Sequence, residues 1–221
     1  MTGGIVSTTG MTEIIVTALR QTVFMVFWAT VFSVILGFIP GVILTLTAPD
    51  GLKPNKAVYE GLSFIVNVFR SFPFIILLVI LIPFTRMIVG KAIGTTASIV
   101  PLTISAIPFI ARIFETSLRE TSPGVIEAAR SFGASDLQIL LFVYVKESVP
   151  RMLNGIVLLI ISLIGYSAMA GTVGGGGIGD IAIRFGYQQY KTDYLLVCSV
   201  LLIIFVQLIQ MGGNYLYKKI L

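Results

Sequence analysis

Uncharged apolar blocks organise this chain. Segments 21–49, 92–111, 152–173 and 194–217 each run for 20 residues or more without Asp, Glu, Lys or Arg. A bilayer core takes roughly 20 consecutive apolar residues in a helix, so each block predicts a membrane-spanning helix. A fifth block, 58–84, is apolar but contains Glu60 and Arg70. Its uninterrupted part, 71–85, is short for a crossing, and including the turns before Arg70 supplies the length. The pattern therefore predicts an all-α polytopic membrane protein, a single transmembrane domain over 1–221 with five spans at about 21–48, 59–84, 92–111, 152–173 and 194–217. Between the third and fourth lies a polar segment, 112–151.

Composition agrees and excludes alternatives. Of the residues, 56% are hydrophobic and 11% charged, against about 25% charged in a soluble domain. There is no histidine, which excludes imidazole bases and His-ligated metals. The one cysteine, Cys198, lies in the last apolar block, so no intramolecular disulfide or Cys-cluster metal site is expected. The first twenty residues lack a basic n-region leading into a short apolar core and small-residue cleavage site, so no cleaved signal is expected.

Charge orients the spans. With the N-terminus outside, the inner segments hold Lys53, Lys56, Arg112, Arg119, Arg130, Lys146, Arg151, Lys218 and Lys219. The outer ones hold only Arg20, Arg86, Lys91, Arg184 and Lys191. Lys and Arg concentrate on the cytoplasmic side, so the expectation is N-out, C-in with 112–151 in the cytoplasm. The net charge of +5 then reports orientation rather than nucleic-acid binding.

The segment 112–151 reads as two short helices. Ser122 can N-cap the first, with Pro123 at its first position. Gly133 can end it as a left-handed cap. Val125, Ala128, Ala129 and Phe132 share one face, and Glu127 and Arg130 lie opposite. Ser135 and Gln138 have capping-box spacing for the second helix. On pattern alone, an amphipathic hairpin lying on lipid headgroups is an equal reading.

Two further features suggest candidates. Arg70 falls within the second span, two residues before Phe72–Pro73. A charge at that depth normally faces a partner or an aqueous cavity, either as part of a pathway or gate or as a structural pair, for instance with Glu60. Tyr166, Ser167 and Met169 lie near the outer end of the fourth span, where they either line a pathway or pack. The Gly174–Gly177 run matches G-x-G-x-x-G formally but lacks a strand–helix context and any Gly-Lys-Ser/Thr. It reads as a flexible or tightly turned outer loop, and ATP binding by this chain is not expected.

The stretch Glu127-Ala128-Ala129, three residues, then Gly133 resembles the EAA loop of ABC-importer permeases. The family pattern continues with an isoleucine and Leu-Pro; here that region reads Val143-Tyr144-Val145-Lys146, with lysine in place of the proline, and Pro150 could supply the break into the fourth span. The resemblance to the bacterial methionine-uptake permeases extends further, through RSFPFII (70–76), IPFTRMIVG (82–90), VPLTISAIPFIAR (100–112) and GYSAMAGTVGGGGIGD (165–180). It implies a coupling loop at Glu127, Ala128, Ala129 and Gly133 that docks on an ATPase, and a possible pathway or gate at Arg70, Pro73, Tyr166, Ser167 and Met169. The partners it implies are a second copy of the chain, two ATPase subunits that hold ATP and Mg, an extracytoplasmic methionine-binding lipoprotein, and the lipid of the bacterial cytoplasmic membrane. The implied activity is ATP-driven import of L- and D-methionine by alternating access, with no cofactor in this chain. A permease for another small amino acid, an intramembrane enzyme and a self-contained channel are the alternatives.

Overall fold

The computed structural model describes residues 8–220, and no strand occurs among them. The first seven residues, with their part of the expectation about a leader, and Leu221 lie outside the described residues. The elements in order are α1 (Thr8–Thr47), α2 (Lys56–Ser71), α3 (Phe74–Ile80), α4 (Ile82–Val89), α5 (Thr95–Arg119), α6 (Pro123–Ser131) and α7 (Asp136–Gln138). A π-helical stretch, Ile139–Val145, leads into α8 (Lys146–Gly171). Then come α9 (Gly177–Ile181), a second π-helical stretch, Ala182–Tyr187, and α10 (Thr192–Ile220).

Among the described residues four helical segments are long and apolar enough to cross a membrane: Gly10–Thr47, Thr95–Arg119, Asp136–Gly171 and Thr192–Ile220. A fifth exists only if α2 and α3 count together. The continuous second span expected at 59–84 is therefore corrected to a broken one. Proline disfavours helical backbone in the residue before it and has no N–H to give the helix. Phe72, before Pro73, is extended at φ −70° and ψ 127°, and α3 restarts with Pro73 as its N-cap. The first span is also longer than expected. Helix α1 begins well before Arg20 and carries on through Pro40, because one missing N–H does not end a long helix whose neighbours supply the packing.

The chain divides into two compact units. The first comprises residues up to Ala29, Pro73–Thr103 and Ile160–Leu208. Ala18, Ile178, Ile181, Tyr194 and Cys198 form one apolar core cluster in it. The glycine run is packed here rather than flexible. Gly174, Gly176 and Gly177 adopt φ of 82°, 78° and 83°, a region glycine enters without a Cβ penalty. At Gly179 a Cβ would stand 2.3 Å from the Ala168 Cα, so α8 and α9 touch backbone to backbone.

The second unit comprises Thr30–Phe72, Ile104–Leu159 and the chain from Ile209. Helices α1 and α5 approach closely: a Cβ on Gly41 would lie 2.8 Å from that of Phe114, and the Phe38 and Phe114 rings meet edge to face at 5.7 Å. Leu52, Leu118, Ile139, Leu140 and Tyr144 form the core beneath α6.

Candidate functional site

Helix α6 and the turn after it are built largely as their residues dictate. Pro123 occupies the start of α6, but the Ser122 side chain makes no capping bond there, which corrects that expectation. At the other end the turn is fully bonded. Gly133, at φ 79°, donates to the Arg130 carbonyl at 2.9 Å, and Ala134 donates to that of Ala129 at 3.1 Å. This pair of bonds is a Schellman cap. Ser135 and Gln138 then form the expected capping box.

The second helix is not short. From Asp136 the chain stays helical through the π-helical stretch and α8 to Gly171, and Pro150 lies inside α8 without breaking it. Neither Lys146, where the family pattern has proline, nor Pro150 interrupts the backbone. A proline inside a long helix removes one hydrogen bond, and the rest of the ladder holds it.

The expected apolar face of α6 is divided. Ala129 and Ile126 pack on the apolar core. Val125 and Ala128 are exposed, and Phe132 is 91% exposed. Leu137, Leu141 and Phe142, beyond the turn, are exposed as well. Together these side chains leave an apolar surface on α6 and the turn after it that no described residue covers. On the other side, Glu127 and Arg130 line a cleft of about 210 Å³ with Asp50, Arg119 and Tyr144. Arg130 also donates to the Leu52 carbonyl at 3.4 Å and lies 4.0 Å from Asp136, which Lys53 approaches at 3.5 Å.

The pathway candidates fall in different places. Arg70 belongs to the second unit, in the last turn of α2, and is exposed. It forms no ion pair among the described residues; Glu60 lies 3.8 Å from Lys56 instead. Pro73, Tyr166, Ser167 and Met169 belong to the first unit. There, Phe74 stacks on Tyr166 with ring centroids 4.8 Å apart and planes 9° from parallel. Ser167 is buried and its hydroxyl donates to the Ile164 carbonyl at 2.7 Å. That bond leaves Ser167 as a packing residue of α8, whereas Met169 is 47% exposed.

Sequence reasoning missed the most organised polar cluster of the second unit. The Glu115 side chain is only 2% exposed yet carries three partners. Arg112 Nη1 donates to it at 2.5 Å, Tyr59 Oη at 3.0 Å and Arg119 Nη1 at 3.4 Å. Arg119 Nη2 reaches Asp50 at 2.8 Å, and Arg112 Nη2 reaches Ser63 at 2.8 Å and Asn67 at 3.0 Å. The available signal was the Arg112/Glu115/Arg119 spacing of three and four, which lines one helix face.

Residues 33–220 match the family described as "Binding-protein-dependent transport system inner membrane component". The D-methionine transport system permease protein MetI of Yersinia pestis is 49% identical over 68% of this chain and 70% of its own length. The methionine import system permease protein MetP of Bacillus subtilis is 42% identical over 78% of each. A solved structure described as "Inward facing conformations of the MetNI methionine ABC transporter" superposes with a TM-score of 0.95 at 43% identity. It covers 97% of this chain and all of the matched one.

Proposed function

Since the chain belongs to the family of inner-membrane components of binding-protein-dependent transport systems, we propose that it is the permease subunit of an ATP-driven methionine importer. The observation that carries this reading is the exposed apolar side of α6, with Val125, Ala128 and Phe132 turned outward beside a fully bonded turn at Gly133. It is a rigid, unfilled surface suited to a second protein. The partner that fits is a cytoplasmic ATPase, which holds ATP and Mg and docks at Glu127, Ala128, Ala129 and Gly133. Movement of that partner biases inward- against outward-facing states, and ATP shifts the equilibrium only by its differential affinity for the two.

The N-terminus lies outside and the C-terminus inside, so that α6 reaches the cytoplasm. Only 6% of the apolar window of α10 is buried, which supports a lipid-facing or second-copy surface there. Two copies would hold the pathway on a shared axis in the bacterial cytoplasmic membrane, with an extracytoplasmic methionine-binding lipoprotein delivering substrate. Arg70, Pro73, Tyr166 and Met169 are the pathway or gate candidates, and Met169 is a soft apolar contact for a thioether. The substrate assignment follows the relatives, whose names state methionine or D-methionine transport.

Labelled methionine uptake in proteoliposomes containing this chain, its ATPase and the binding protein tests the reading. ATP-dependent uptake competed by D-methionine but not by histidine or glutamine is the expected result. An assembled, hydrolysing complex that imports a different amino acid would reassign the substrate and keep the permease. Uptake by this chain without the ATPase would favour a channel and end the reading.

A further inference from the structure

Glu115 is a carboxylate with almost no access to water, placed where α2, α5 and the loop between α1 and α2 converge. A buried ion cluster gains little over apolar side chains of the same volume, because desolvation offsets most of the Coulomb attraction. What such a cluster does supply is geometry: each partner must stay where its charge or hydrogen bond is matched. Here the partners are spread over three elements. Tyr59, Ser63 and Asn67 come from α2, Arg112 and Arg119 from α5, and Asp50 from the loop.

The same loop packs beneath the docking helix. Leu52 belongs to the apolar core on which Ile126 and Ala129 of α6 rest, Arg130 of α6 donates to the Leu52 carbonyl, and Lys53 pairs with Asp136 at the start of α7. The links run from α6 to Leu52, along the loop backbone to Asp50, and then through Arg119 and Glu115 to Arg112 and Tyr59 and on to α2. All of it lies within one compact unit.

We infer that Glu115 is a positioning residue for the transport cycle: it binds α5, α2 and the loop into one body with α6, so that displacement of the docking surface moves them together. The inference rests on the permease reading above. It assigns Glu115 no contact with substrate.

The test uses the assembled complex with its ATPase and binding protein. Spin labels at Gly61 on α2, where an added side chain meets nothing within 4 Å, and at the exposed Ser131 on α6 report the α2–α6 distance in nucleotide-free and ATP-bound states. The wild-type distance is expected to stay the same in both states. In Glu115→Gln it is expected to differ between them, and the ATP hydrolysed per methionine imported should rise above the wild-type ratio. A wild-type distance that changes with ATP overturns the inference, as does a variant with unchanged distance and unchanged ratio. If Glu115→Gln does not assemble, Tyr59→Phe, which removes one donor and leaves no charge unpaired, must show the same two changes; finding neither overturns the inference. Wild-type complex that holds the distance but imports no methionine would sink the substrate reading while leaving the role of Glu115 standing.

Discussion

The hydroxyl of Thr22 accepts a hydrogen bond from the backbone N–H of Ile178 at 2.9 Å, across 156 positions of sequence. One residue earlier in each helix, the Gln21 side-chain oxygen accepts from the Gly177 N–H at the same distance. Helix α9 begins in a glycine run with no side chain able to cap it, and the four leading N–H groups of any helix need acceptors. Helix α1 provides two of them. Thr22→Val keeps the shape and deletes the acceptor, leaving a buried N–H unmatched. The expected loss is roughly 1–3 kcal/mol, read as a lower Tm of the purified permease, with Thr22→Ser close to wild type.

Gly179 and Ala168 place α9 against α8 at a distance where no side chain fits. Gly179→Val should abolish recovery of folded protein in size-exclusion chromatography, because the atoms it meets are backbone and cannot turn aside. Gly61→Ala, where nothing lies within 4 Å, should be recovered at wild-type yield or better, since alanine is worth up to about 1 kcal/mol over glycine inside a helix.

Phe132 and Glu127 allow the proposed docking to be tested apart from folding. Both are exposed, so Phe132→Ala and Glu127→Lys should leave the Tm of the isolated chain unchanged. Each should weaken capture of the ATPase subunit. Burying a phenylalanine is worth about 1.5–3 kcal/mol, so Phe132→Ala should lower affinity by tenfold or more on the scale of about 1.4 kcal/mol per decade. Undiminished co-purification of the ATPase with both variants would exclude this surface as its dock.

Not every ion pair of the second unit carries weight. Lys56 and Glu60 are 86% and 65% exposed, and solvent screening reduces such a pair to about 0.5 kcal/mol or less. Lys56→Ala should therefore leave Tm, assembly and uptake unchanged.

Tyr166 and Ser167 are adjacent and should behave differently. Tyr166→Ala removes the stack on Phe74, worth about 0.5–1.5 kcal/mol beyond the area it buries, and should lower both Tm and uptake. Ser167→Ala removes a hydroxyl already bonded within its own helix turn and should leave the uptake rate unaltered.

Fold class was legible because uncharged blocks of that length have few soluble uses. The capping box at Ser135 and the left-handed Gly133 were legible because both are local, set by residues within one turn. What escaped is non-local or depends on competition between rules. Hydropathy measured the block at 59–84 correctly, but Pro73 acts on the backbone of Phe72, and a sliding apolar count does not register that. Charge placed the start of α1 after Arg20, whereas a helix continues past a charge that its neighbours or water can solvate. Among the candidate site residues, Glu127 and Ala128 stand out through the motif they belong to. Glu115 does not: its partner Tyr59 lies 56 positions away, the Ser63 and Asn67 that hold Arg112 lie 49 and 45 positions from that arginine, and only folding brings them together.

The conformation of Gly133 fixes which changes the turn after α6 can absorb over time. Its φ is positive while the space around it is empty, so the obstacle to substitution is backbone angle and not bulk. Asparagine and aspartate, which enter the left-handed region more readily than other residues with a side chain, should be the mildest replacements there. Alanine, though smaller, should be worse. In a saturation library selected for import, the ranking at position 133 would thus follow tolerance of the left-handed region and not side-chain size. At Gly179, where crowding rather than angle forbids a side chain, the ranking would follow size.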